Sequence, residues 1–161
     1  MKLLEDIILK DVIEIRTSPE KIYNFFLNLN EENYRKWVPE DHVTLRWIKG
    51  SPSEKGSIVY GEEYFHGKLH KVKFRIKNLI PNKKIEFSPS FWLLRIYFPK
   101  NTFTIEQKGD TCIFTATIHL RIGKVAKFFA KNHIKGGLES VRLHMKKEGE
   151  DLKKILEDKN L

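Results

Sequence analysis

The spacing of apolar and polar residues changes period three times along this chain. Residues 6–17, DIILKDVIEIRT, are rich in Ile and Val and read as a first strand. Ser18-Pro19-Glu20 follows: a capping Ser, proline at the first helical position and an acid in the first turn. Ile22, Tyr23, Phe25, Phe26 and Leu29 then recur at helical spacing. A second short helix is predicted over Glu31–Trp37, ending before Pro39. From there the period falls to two. Strands are predicted at 43–49, 57–66, 68–79, 84–88, 92–98, 101–107 and 111–121. Between them stand Gly50 with Pro52, Gly67, Pro81-Asn82, Pro89, Pro99 and Gly109-Asp110, the residue types that tight antiparallel connections need. Short hairpins throughout predict one meandering antiparallel sheet.

The tail, 124–161, lacks proline and returns to helical spacing, with Gly136-Gly137 as the place for a kink or break. At about 100° per residue, Ile134, Leu138, Val141, His144, Met145, Leu152, Ile155 and Leu156 all point within roughly 80° of Glu148. Arg142, Lys146, Lys153 and Glu157 fall on the far side. The helix is therefore amphipathic, and its apolar stripe must pack on the sheet.

Composition narrows the classes. At 161 residues and 40% hydrophobic, the chain suits one domain, 1–161, with a true core. No run of about 18 apolar residues exists, so no membrane-spanning helix is predicted. The opening MKLLEDIILKD has acids inside its apolar stretch and no cleavage-site pattern, so no signal peptide is read. Cys112 is the only cysteine, which fits a reducing, cytoplasmic setting and removes any Cys-rich metal site. The net charge of +9 is spread along the chain. Its densest stretch, KLHKVKFRIK, alternates basic with apolar residues, like a strand with a solvated outer face. Binding to nucleic acid or an anionic surface would therefore rest on charge alone. High Lys and Glu with little Gln and Cys suits a thermophilic source.

The element order is strand, two short helices, antiparallel meander and long terminal helix. With the phrase IEIRTSPEKIYNFF, that order resembles the helix-grip fold of the START and polyketide-cyclase superfamily, to which the birch-pollen allergen belongs. The resemblance covers essentially the whole chain. It implies an α+β fold in which a curved sheet wraps the last helix around an internal cavity. Function does not follow from fold alone, because members of this superfamily differ in activity.

His144 and Glu148 are the polar exceptions on the apolar stripe. Four residues apart on a helix, they are neighbours and can chelate one metal ion. The same spacing equally fits a surface ion pair. Upstream, WVPEDHVTLRW puts His42 between Trp37 and Trp47, where helix gives way to strand. GSIVYGEEYFHG places Glu62 and Glu63 mid-strand, where acids are disfavoured unless exposed or functional. Alternation puts them on opposite faces, and both faces carry apolar residues.

His42 in PEDH, the EEYFHG strand and HMKKE on the last helix together resemble the diacetylphloroglucinol and phloretin hydrolases. The resemblance implies a zinc ion held by His42, Glu63, His144 and Glu148. In related folds the position of Val59 points inward, which favours Glu63 inward and Glu62 outward, while the sequence by itself leaves the choice between them open. It further implies hydrolysis of a carbon–carbon bond between an acyl group and a phenolic ring. This chain is markedly shorter than those enzymes, and their substrate-binding polar residues have no match here. A general acid would also be needed; Tyr60, Tyr64 and His66 lie on the right segment, and none can be assigned that role. Asp41 could orient a ligand or cap a turn. His66, His70, His119, His133 and Cys112 are read as structural or solvated. Phe25, Phe26, Trp37, Trp47, Phe65, Phe74, Phe87, Trp92, Phe103 and Phe114 are expected in the interior, as core or as cavity lining. Two readings follow: a metal-dependent hydrolase of a small apolar or aromatic acyl compound, or a carrier that holds a hydrophobic ligand without chemistry. The oligomeric state is left open.

Overall fold

A computed structural model describes residues 3–158. The elements are β1 (Leu4–Ile15), α1 (Pro19–Leu27), α2 (Glu31–Trp37), β2 (His42–Lys49), β3 (Ile58–Phe65), β4 (Lys68–Ile80), β5 (Lys84–Pro89), α3 (Leu94–Tyr97), β6 (Lys100–Lys108), β7 (Thr111–Gly123), α4 (Lys124–Phe129) and α5 (Lys131–Glu157). The seven strands form one antiparallel sheet, ordered β1-β7-β6-β5-β4-β3-β2. Apart from the pairing of β1 with β7, every neighbour is consecutive in sequence. That is the meander predicted by the turn residues.

The helix starts are built as their residues dictate. Ser18 Oγ accepts from Lys21 N–H at 3.3 Å and caps α1. Asn30 Oδ1 accepts from Asn33 N–H at 2.9 Å and caps α2. Helix α2 carries Glu31 and Glu32 in its first turn and Arg35 and Lys36 in its last, matching the helix dipole. Tyr34 and Trp37, three residues apart, form its buried face.

Helix α5 buries Met145, Gly149 and Leu152 and packs on β1. At Gly149 the helix lies directly against side chains of β1. A Cβ there would lie 2.8 Å from Asp11 Oδ2 and 3.5 Å from Ile13 Cγ2. The core joins this stripe to Leu9, Ile15, Ile22, Phe26, Trp37 and Phe114.

Three expectations need correction. Residues 92–98 are not a strand. They form the short helix α3 and its flanks, and Trp92 is 60% exposed rather than interior. Apolar character without a partner strand left alternation unable to separate the two cases. Gly136-Gly137 does not break the tail; both lie within α5, and the break falls at Ala130, between α4 and α5. The helical assignment of 159–161, and residues 1–2 of the opening segment, lie outside the described residues.

Since a Cβ at Gly136 or Gly137 would meet nothing within 4 Å, alanine fits both positions. Gly136→Ala and Gly137→Ala should each raise stability by about 0.5–1 kcal/mol through helix propensity. Leu152→Ala, at a fully buried position, should cost about 2–5 kcal/mol. Urea-unfolding midpoints would check all three.

Candidate metal centre

Four side chains from three elements converge at one end of the sheet. His42 opens β2, Glu63 lies near the end of β3, and His144 and Glu148 stand one turn apart on α5. One donor atom from each can be chosen so that all four lie within 4.8 Å of one another.

A β-bulge aims His42. Further along the β2–β3 ladder Leu45 pairs with Gly61 and Thr44 with Glu62, so an unbroken register would set Val43 opposite Glu63. The register shifts between His42 and Thr44, and His42 takes that place instead. Directly opposed residues share a face, so His42 turns inward with Glu63. Its ring Nδ1 lies 2.9 Å from the Tyr34 carbonyl oxygen, which can only accept. Nδ1 therefore carries the proton, and the Nε2 lone pair faces the cluster. The Tyr34 ring stacks on the imidazole at 3.9 Å, with 3° between the planes.

Alternation on β3 separates the two glutamates. Val59, Gly61 and Glu63 line the internal cavity. Glu62 lies on the other face, where it accepts from the Tyr60 hydroxyl and stands 3.8 Å from Lys71 Nζ. The hydroxyl of Tyr34 donates to Glu63 Oε2 at 3.0 Å. On α5, Trp37 Nε1–H donates to the Glu148 carbonyl at 2.9 Å and so ties the helix to α2.

His42 Nε2 lies 3.4 Å from Glu148 Oε1 and 4.0 Å from Glu63 Oε2. His144 Nε2 lies 3.5 Å and 3.8 Å from the same two atoms. Both Nε2 atoms are buried without a hydrogen-bond partner. Ligand atoms about 2.1 Å from a tetrahedral zinc ion stand about 3.4 Å apart, so these separations and the unpaired nitrogens fit a cation among the four groups. Behind His144, Asp41 Oδ2 lies 3.4 Å from Nδ1. That is where an outer carboxylate orients a ligating imidazole. Lys147 contacts both Asp41 and Glu40.

The electrostatics without an ion are those of a tight charged cluster. Burial, reinforced by the charge of Glu148, pushes the Glu63 carboxyl up from the usual carboxylate range. Burial works in the same direction on Glu148, but the adjoining His144 and His42 outweigh it and hold that group at about 2. Burial also works against a charged His144, yet Glu148, Glu63 and Asp41 lift it to about 9. The cluster thus keeps a proton on His144 at neutral pH in the absence of a metal.

The cavity beside the cluster has a volume of about 150 Å³. Phe26, Trp37, Trp47, Phe74, Phe87 and Phe103 line it, and Glu63, Glu148 and Tyr34 form its polar wall. Of the remaining aromatics expected inside, Phe114 is buried and Phe25 packs on the core. Phe65 meets the His144 ring edge-on at 5.9 Å. Tyr60, Tyr64 and His66 stand away from the cluster: Tyr60 pairs with Glu62, Tyr64 is exposed, and His66 bonds Ser140 in the β3–β4 turn. His70 contacts the Phe65 carbonyl, His119 pairs with Asp6, and His133 is exposed. Cys112 is buried, its thiol on the Thr17 carbonyl. Tyr34 is the contributor missed in the sequence. Its spacing of three from Trp37 was a signal for a shared helix face, but nothing in the sequence marks its hydroxyl.

No family model matches the chain, and no curated protein sequence matches it. Many solved structures do share its shape. The major latex-like protein 151 of Panax ginseng aligns over 98% of this chain and 100% of its own, with TM-score 0.72 and 13% identity. A protein of Thermus thermophilus aligns over 93% and 97%, with TM-score 0.70 and 11% identity. Norcoclaurine synthase of Thalictrum flavum, in complex with dopamine and hydroxybenzaldehyde, aligns over 95% and 87%, with TM-score 0.68 and 12% identity. Identities this low speak for fold and not for activity. With its seven-stranded curved antiparallel sheet and long terminal helix, the chain has the helix-grip fold that these structures share.

Proposed function

We propose that this protein binds a small apolar or aromatic ligand in its internal cavity, with a zinc ion held by His42, Glu63, His144 and Glu148 at the polar wall. The observation that carries this reading is the pair of buried, unpartnered imidazole nitrogens facing two carboxylates at the edge of an aromatic-lined cavity. Nitrogen and carboxylate donors suit zinc. Aromatic walls with few polar groups suit a small ring compound. The norcoclaurine synthase complex is a case of this fold taking phenolic compounds.

A second reading, chemistry in addition to carriage, rests on one observation. Glu63 and Glu148 belong to both the cluster and the cavity wall, so a bound ligand abuts the proposed metal. When bound, zinc supplies Lewis acidity, which polarises a carbonyl and acidifies water. In hydrolysis of an acylated phenol, water adds hydroxyl to the acyl carbon and a proton to the ring carbon. The products are a carboxylic acid and the free phenol. The chain's own part is to seat the ring among the aromatics and exclude bulk water. The Tyr34 hydroxyl holds Glu63 in place, and Asp41 does the same for His144.

Protein purified without a polyhistidine tag should carry about one zinc per chain by elemental analysis. His144→Ala and Glu148→Ala should lose it, and Glu62→Gln should keep it. Wild-type protein that stays metal-free with added zinc would sink the metal reading. Activity separates the two functional readings. Turnover of acylated phenols that disappears on chelation supports the hydrolase, whereas ligand binding with zinc bound and no turnover supports the carrier.

The proton on His144 sets a pH dependence. Its pKa of about 9 lies above the unfolded value of 6.5. In metal-free protein its stabilisation is therefore complete below pH 6.5 and lost as pH rises through 9. Zinc must displace that proton. Calorimetry at neutral pH in buffers of different ionisation enthalpy should show at least one proton released per zinc. Apparent affinity should rise with pH toward about 9.

A further inference from the structure

The edge of the sheet that holds the cluster also carries an apolar surface. β1, β4 and β6 begin at this edge and β3, β5 and β7 end there, as their antiparallel registers require. The β5–β6 connection containing α3, and α4 after β7, therefore project from one end of the molecule. Both short helices pack on β7. They bury almost nothing. Ten of the eighteen exposed large hydrophobic side chains among the described residues lie in 91–98 and 125–129. Phe128 is 80% exposed, Phe129 82% and Trp92 60%. An apolar group of this size on one end of a protein marks a contact surface.

The charge around it has one sign. Segments 91–100 and 124–135 contain Arg95, Lys100, Lys124, Lys127, Lys131 and Lys135, and no Asp or Glu. Lys127 pairs with Glu5 at 2.7 Å, and Lys124 and Lys131 are exposed. Phe, Trp and Tyr interleaved with Lys and Arg is the composition of protein surfaces that enter the interface of an anionic bilayer: rings reach the acyl boundary and cations meet the headgroups. A second copy of the chain would oppose like charges across the contact. Nucleic acid would stack on the rings but leave Leu93, Leu94, Ile96 and Val125 without a partner.

We propose that α3 and α4, with the 91–93 segment, form a peripheral docking surface for anionic lipid membranes. No described helix is long and apolar enough to cross a bilayer, so the contact is interfacial. The surface adjoins the end of the sheet that carries His42 and Glu63, so a hydrophobic compound dissolved in the bilayer would be collected at the end where the cluster lies. Docking itself does not depend on the metal.

The test uses the full chain and sonicated vesicles of phosphatidylcholine, alone or mixed three to one with phosphatidylglycerol. The chain should co-sediment with the mixed vesicles and not with phosphatidylcholine alone, and added salt should weaken binding. Phe128→Ala with Phe129→Ala should reduce binding at least about tenfold. Lys124→Gln with Lys131→Gln should weaken it on mixed vesicles. Both pairs are exposed, so an unchanged thermal midpoint shows that the variants fold. Trp92 emission should shift to the blue on mixed vesicles, and Trp92→Phe should bind without that shift. His144→Ala should bind as wild type does, which separates this surface from the zinc reading. No co-sedimentation with mixed vesicles overturns the proposal, as does binding that the Phe128→Ala/Phe129→Ala variant retains. A concentration-dependent dimer abolished by that variant would assign the surface to a second copy instead.

Discussion

Helix α5 meets β1 with Gly149 at the point of close approach, where any larger side chain would press on Asp11 and Ile13. There the helix lies against the side chains of Asp11 and Ile13 with no side chain of its own between. Leu152 and Met145 bury on either side of it. Glu148 is then carried to the cavity wall and His144 one turn further, over the strand ends. Had the helix stood off by the thickness of a side chain, neither group would reach His42 or Glu63. The Trp37 indole fixes the same stretch from the other side, on the backbone carbonyl of Glu148.

Given that depth, charge becomes the governing problem. Two carboxylates enclosed together repel, and burial adds to the cost of ionising them. Two imidazoles reduce the cost, and the resulting cluster pulls Glu148 down to about 2 and His144 up to about 9. Yet each imidazole keeps one buried nitrogen that meets Glu148 only at 3.4–3.5 Å, outside good hydrogen-bond geometry. An arrangement built only for stability would pair those atoms, since an unmade buried hydrogen bond costs about 1–3 kcal/mol. A cation satisfies all four groups at once, which is why the metal reading follows from the geometry more directly than any particular reaction does. The supporting contacts point the same way: Tyr34 stacks on one imidazole and holds Glu63, and Asp41 backs the other imidazole.

Much of this was legible in the residues. Helical spacing placed His144 and Glu148 on one buried stripe, because both their separation and their surroundings are set within one element. Turn residues marked nearly every hairpin of the meander. Two of the errors share a cause. Residues 92–98 read as a strand because local apolarity does not say whether a partner strand exists. Trp92 was assigned to the interior for the same reason. Gly136-Gly137 read as a break, but propensity is weak against a helix already committed on both sides, and the interruption fell at Ala130. Tyr34 went unnoticed because a buried tyrosine on a helix face looks the same whether its hydroxyl meets a ligand or nothing.

What the chain determines by itself, then, is periodicity: which segments are helix or strand, which faces are apolar, and that the final helix carries two polar groups inward. Local chemistry suffices for that. Tertiary structure decided what those groups meet. His42 faces Glu63 and Glu148 only because a bulge shifts its strand by one residue against β3, and a bulge is a property of the pair of strands rather than of either one. The choice between Glu62 and Glu63 likewise waited for the sheet to curve, since alternation defines two faces but not which is inside. The cluster of His42, Glu63, His144 and Glu148 draws on three segments far apart in the chain, and only packing brings one donor atom of each within 4.8 Å of the others.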